Sequence, residues 1–187
     1  MNTTCQLSNN TQRYLAQFQC ILNDMIQGMT GARLGNSISN NFIAQMIPHH
    51  QAAIRMCKNL LQYTTSIPLQ EIAQQIICEQ TRSIENMERI QCNCGNQRNS
   101  ERDLCQYQNR MNQIMQNMFS CMENAESTNN IDANFIREMI PHHRGAIEMC
   151  ENCLQYCVCP GLVPILQNII ASQTRGICQM EKLLECM

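Results

Sequence analysis

Shifted by 93 residues (142 minus 49), the chain matches itself without a gap, and a chain of that kind folds as two copies of one unit. The shift lays Asn41-Phe42-Ile43 on Asn134-Phe135-Ile136, and Met46-Ile47-Pro48-His49-His50 on Met139-Ile140-Pro141-His142-His143. It also pairs Met56-Cys57 with Met149-Cys150, Leu61-Gln62-Tyr63 with Leu154-Gln155-Tyr156, and Gln80-Thr81-Arg82 with Gln173-Thr174-Arg175. Ile84 and Met87-Glu88 then fall on Ile177 and Met180-Glu181, while Tyr14, Ile21 and Met25 fall on Tyr107, Ile114 and Met118. All 4 histidines lie in the doubled Met-Ile-Pro-His-His phrase.

Apolar residues recur at helical spacing throughout and no sustained alternation appears, so the expected fold is all-α. The pattern predicts helices over about 12 to 29, 39 to 64, 68 to 90, 103 to 123, 133 to 157 and 163 to 186. Tyr14, Phe18, Ile21, Leu22, Met25 and Met29 form the apolar stripe of the first. Ser39 and Asp132 read as N-caps of the second and fifth. The expected organisation is one domain, 1–187, with repeats 12–90 and 103–186 joined by a linker over 91–102. Three helices per repeat set the second helix antiparallel to the fifth. A pseudo-twofold then brings the two His-His pairs to one height in a bundle.

Composition narrows the chemistry. The chain carries 14 Cys and 14 Met, only 4% aromatic residues and no Trp, an interior rich in sulfur. A net charge of −2 with scattered basic residues gives nucleic acid no footing. No stretch reaches the roughly 18 apolar residues of a membrane span, and the N-terminus lacks a signal-like pattern, so a cytoplasmic location is expected. In a chain of 187 residues read this way, reduced thiols are the better reading than a disulfide framework. Homo-oligomerisation is left open.

On a helix, Met46 shares a face with His49 and His50, and Met56 and Cys57 follow two turns on; Met139, His142, His143, Met149 and Cys150 repeat the stripe. Adjacent histidines point about 100° apart, so each ring joins ligands from a different neighbour. Met87 and Met180 come from the third and sixth helices, and Met25, Met29, Met118 and Met122 from the first and fourth. Thioether, thiolate and imidazole together select Cu(I) and its relative Ag(I), with zinc second. Cys150, Cys153 and Cys157 fall at helical spacing, while Cys157 with Cys159 and Cys92 with Cys94 form close pairs. Pro48 and Pro141 each remove a helical amide donor, which predicts a kink beside the histidines.

The doubled phrase, with Gln-Thr-Arg and a Met seven residues after the Gln, resembles family 305 of the domains of unknown function over about 39 to 187. The resemblance implies a ferritin-like four-helix bundle made by the second, third, fifth and sixth helices, with copper-associated members. It carries over Met46, His49, His50, Met56 and Met87, and Met139, His142, His143, Met149 and Met180. Ser83 and Gly176 stand where the family pattern has Glu, which removes a carboxylate from that place, and the abundant cysteines imply storage or scavenging within the cell.

A di-iron oxidase needs Glu-x-x-His on two helices, and neither copy has it; Glu138 precedes His142 by four and its counterpart is Gln45. No phosphate loop or nucleophile elbow is present. The expected activity is therefore non-enzymatic: binding Cu(I) for buffering, storage or tolerance, with metal ions as partners. Two rivals stand beside it, a disulfide-cross-linked structural or coat-type protein and a zinc-stabilised bundle.

Overall fold

The computed structural model describes residues 6–94 and 97–187; the N-terminal segment 1–5 and Gly95-Asn96 of the linker lie outside the described residues. Six helices run in order: α1 Asn9–Thr30, α2 Ile38–Leu60, α3 Ile67–Cys94, α4 Glu101–Glu123, α5 Ile131–Leu154 and α6 Val163–Leu184. The described residues contain no strand, so the all-α expectation holds.

Each of four helices starts on a side chain that accepts from an otherwise unpaired first-turn amide. Ser8 caps α1, Ser37 caps α2, Ser100 caps α4 and Asn130 caps α5. The caps expected at Ser39 and Asp132 are thus displaced by two residues. Ser37 takes the amide of Asn40 and Asn130 that of Ala133, because those residues hold extended backbone just ahead of the helix. Ser39 instead accepts from the amide of Cys159 at 2.9 Å, and Asp132 sits in the first turn, where its charge favours the helix dipole.

The middle helices end earlier than the pattern predicts, at Leu60 and Leu154, while α3 runs on to Cys94. α2 and α5 continue unbroken through Pro48 and Pro141. Gly28 of α1 makes room for the first of these: a Cβ there would stand 2.8 Å from the Pro48 Cβ.

α2, α3, α5 and α6 form the central four-helix bundle. α2 packs on α3 and α5 on α6, and the halves join through α2 on α5 and α3 on α6. α1 lies against α2 and α4 against α5, on the outside. The Cys159 to Ser39 bond ties the far end of α5 to the start of α2, so these two central helices run antiparallel. The same contacts recur 93 residues apart. Asn59 Nδ2 donates to the Tyr14 carbonyl at 3.1 Å, and Asn152 Nδ2 to the Tyr107 carbonyl at 3.2 Å. Tyr14 and Tyr63 meet edge to face at 6.0 Å, and Tyr107 and Tyr156 at 5.8 Å.

One expectation about the cysteines is corrected. Cys94 and Cys159 form a disulfide with Cα atoms 5.2 Å apart, because the longer α3 carries Cys94 to the connection between α5 and α6. Eleven other described cysteines are free.

Candidate metal centre

The two repeats meet at their histidines. His49 and His142 stack with ring centroids 3.7 Å apart and planes 27° from parallel. A residue can touch its own repeat copy only where it lies next to the axis relating the copies, so these rings mark the axis. His50 stands 5.8 Å from His49, and His143 stands 5.9 Å from His142, each tilted by about 50°. All four rings are buried.

Ring hydrogen bonds define what is left over. His142 Nε2 donates to the backbone carbonyl of His49 at 3.2 Å, which leaves its Nδ1 as a bare acceptor. His50 Nε2 lies 3.0 Å from the Ser83 hydroxyl. Both ring nitrogens of His49 and the Nδ1 atoms of His50, His142 and His143 are buried with no hydrogen-bond partner. A buried polar atom without a partner costs about 1–3 kcal/mol, so a core holding five of them on four neighbouring rings is expensive as hydrocarbon filler.

Burial also sets their protonation. It is the main cause that lowers the His50 ring to about 3 and the His142 ring to about 4. Burial and the neighbouring rings hold His49 and His143 well below the usual value. All four are therefore neutral near pH 7, the form in which imidazole binds a metal.

The methionines expected as donors all lie in the core. Met46, Met56, Met87, Met139, Met149 and Met180 are buried and belong to one continuous core, as do Met25, Met29, Met118 and Met122. Four central helices and both outer ones thus contribute thioethers to that core.

The cysteines lie differently. Cys57 is buried within electrostatic reach of Tyr14 on α1, and Cys150 and Cys153 are within reach of Tyr107 on α4. Burial pushes all three thiols far up, so they stay protonated. Cys157 is exposed, because α5 ends at Leu154 before its spacing can bring it to the Cys150 and Cys153 face. Among the described residues no three His, Cys, Asp or Glu side chains converge as an assembled metal centre.

Three residues beside the centre were marked in the sequence only as repeat matches or departures. Gln80 and Gln173 are buried with side-chain oxygens unpartnered, and with Ser83 they line a cavity of about 240 Å³ between α3 and α6. It runs from exposed Arg82 and Arg175 towards His50, whose ring is itself buried. Their doubling within Gln-Thr-Arg was the available signal. Where α3 has Ser83, α6 has Gly176, and a Cβ on Gly176 would stand 3.0 Å from His143 Cδ2 and Nε2. A small residue is needed there to admit the ring.

A second buried polar pair lies outside the histidines. The Tyr14 hydroxyl donates to Glu138 Oε2 at 2.6 Å, and burial raises the Glu138 carboxyl to about 8, partly offset by that bond. The repeat equivalents, Tyr107 and Gln45, do not form such a bond; the Gln45 amide instead reaches the Met115 sulfur at 3.8 Å.

The profile of the family described as Domain of unknown function (DUF305) matches residues 39–184, from the first turn of α2 to the end of α6. Among solved structures, CopM in the Ag-bound form (by soaking) is 28% identical with a TM-score of 0.58, covering 79% of this chain and 94% of its own. CopM in the Cu(II)-bound form is 27% identical at TM-score 0.58, covering 79% and 95%. A DUF305 fragment from Deinococcus radiodurans shares the fold at 20% identity, TM-score 0.59, covering 80% of this chain and 97% of its own. No curated protein sequence matches.

Proposed function

The chain belongs to the DUF305 family, and on that premise we propose that it binds Cu(I), or the similarly soft Ag(I), at the paired histidines, as a buffer, store or tolerance protein and not as an enzyme. The observation that carries this reading is the stack of His49 and His142 on the repeat axis, with unpartnered ring nitrogens inside a methionine-rich core. The CopM structures with Ag and with Cu(II) support the choice of ion class.

His49, His50, His142 and His143 would supply neutral nitrogen donors, and Met46, Met139, Met56, Met149, Met87 and Met180 would supply thioethers from neighbouring turns and helices. A soft monovalent ion prefers that set to water, whereas hard oxygen-seeking ions gain little from it. Neutral rings release no proton on binding, so affinity above about pH 6 should vary little with pH. The protonated Cys57, Cys150 and Cys153 would join only by giving up a proton in the core.

The test is an anaerobic Cu(I) titration against a chromogenic competing chelator. Replacement of all four histidines by Ala should lower affinity at least about tenfold, a loss of about 1.4 kcal/mol. A Met46→Leu, Met139→Leu variant, which keeps core volume, should also weaken Cu(I) binding. Unchanged affinity in both variants would overturn the proposal, and zinc in protein purified without oxygen would favour a zinc-stabilised bundle.

A further inference from the structure

The two Cys-x-Cys phrases, Cys92-Asn93-Cys94 and Cys157-Val158-Cys159, are 65 residues apart in sequence at their second cysteines, yet they meet at one end of the bundle. Neither Cys94 nor Cys159 has a cysteine as its repeat equivalent; Met187 and Ser66 stand there. Duplication therefore did not create this pair. It sits where the linker between repeats, the start of α2 and the connection from α5 to α6 come together.

We propose that Cys94 and Cys159 form a second soft-metal site, a two-thiolate clamp that is closed as a disulfide in the oxidised protein and takes Cu(I) once a thiol reductant has opened it. The clamp stays together without its sulfur bond, because five hydrogen bonds hold the same strands of chain. Ser37 Oγ donates to the Cys94 carbonyl at 3.2 Å, and the Cys159 amide donates to Ser39 Oγ at 2.9 Å. Asn99 joins all three segments: its amide donates to the Asn36 carbonyl at 2.9 Å, its Nδ2 to the Cys157 carbonyl at 2.8 Å, and its Oδ1 accepts from the Ile38 amide at 2.9 Å.

Reduction thus frees two sulfurs whose Cα atoms remain near 5.2 Å apart. Cys94 is fully buried and Cys159 half-buried, so the reductant's thiolate attacks the Cys159 sulfur, the accessible one. A dithiol supplies the two electrons and two protons: the Cys94 to Cys159 bond breaks, both sulfurs become thiols, and the dithiol closes to its own disulfide. Cu(I) then displaces the two thiol protons and forms two sulfur bonds without changing oxidation state. Thiolate donors select this soft ion over zinc in a site with two ligands, since zinc requires four. Exposed Cys157, whose sulfur accepts from Gln97 Nε2 at 2.8 Å, stands beside the clamp as a sulfur through which the ion can be exchanged.

The site is distinct from the histidine centre, and its test separates the two. Wild-type protein is prepared with the disulfide intact or pre-reduced with dithiothreitol and desalted, then titrated anaerobically with Cu(I) against a chromogenic chelator. Reduction should add two titratable thiols and one bound Cu(I) per chain. A Cys94→Ser, Cys159→Ser variant, which keeps the Asn99 hydrogen bonds, should lose that increment while retaining the baseline. The wild-type comparison needs no substitution, so it stands even if the variant folds poorly. No additional ion on reducing the wild type, or the same increment in a folded variant, would overturn the proposal. Failure of the histidine centre would lower the baseline in both redox states and leave the increment untouched.

Discussion

Acid should destabilise the metal-free protein through its buried imidazoles, and the amount can be worked out. An unfolded histidine titrates near 6.5, whereas His50 and His142 are lowered in the fold to about 3 and about 4. Between these values the unfolded chain takes up a proton that the folded chain refuses. The contribution of each ring is therefore intact above 6.5 and is lost as pH falls towards the folded value. From pH 7 to pH 5 the linkage integral comes to about 2 kcal/mol per ring, about 4 kcal/mol for the pair, a large share of a typical 5–15 kcal/mol stability. Glu138 works in the opposite direction: its carboxyl is raised from 4.5 to about 8, so its protonated form stabilises at low pH and this contribution fades as pH rises through 8. Over the same interval that offsets about 2.5 kcal/mol of the histidine loss. The clean measurement is therefore in a Glu138→Gln background, by urea unfolding followed by circular dichroism with chelator present, at several pH values from about 7 to 5. His50→Gln in that background should remove about 2 kcal/mol of the pH dependence. If the His50→Gln protein loses as much stability between these pH values as its parent, burial does not keep that ring neutral and the reasoning is wrong.

Two further outcomes follow from packing and hydrogen bonding. Gly145→Ala should destabilise by about 1–3 kcal/mol despite the better helix propensity of Ala, since the new Cβ would overlap the Met118 sulfur and stand 2.8 Å from its Cγ; thermal melts against Gly35→Ala, where no atom lies within 4 Å, check this. Asn59→Ala and Asn152→Ala each remove an equivalent buried side-chain hydrogen bond, to a helical carbonyl of Tyr14 and of Tyr107 that keeps its partner within the helix, so each should cost about 0.5–1.5 kcal/mol and by similar amounts in chemical denaturation; a large inequality would show that the two bonds differ in strength.

The helices were legible because their signals are local. The stripe Tyr14, Phe18, Ile21, Leu22, Met25 and Met29 is buried as its spacing predicts, and the doubled phrase located both histidine pairs. Cap positions were less legible: Ser37 and Ser39, like Asn130 and Asp132, are chemically interchangeable candidates, and only backbone conformation selects between them. The cysteines were the least legible. Cys57 and Cys150 sit on the same helices as the histidines and lie within reach of Tyr14 and Tyr107 on the outer helices, neighbours that their spacing along the chain does not give.

By itself the sequence determined the six helices, the repeat and the identity of the soft donors, since periodicity, duplication and side-chain chemistry are properties of the chain. Tertiary structure alone decided that His49 stacks on His142, that Ser83 meets His50 while Gly176 packs against His143, and that Cys94 pairs with Cys159. Each of these depends on how residues far apart in sequence approach across the axis. Distances of a few ångströms between helices are set by packing of the whole core, which no local pattern encodes.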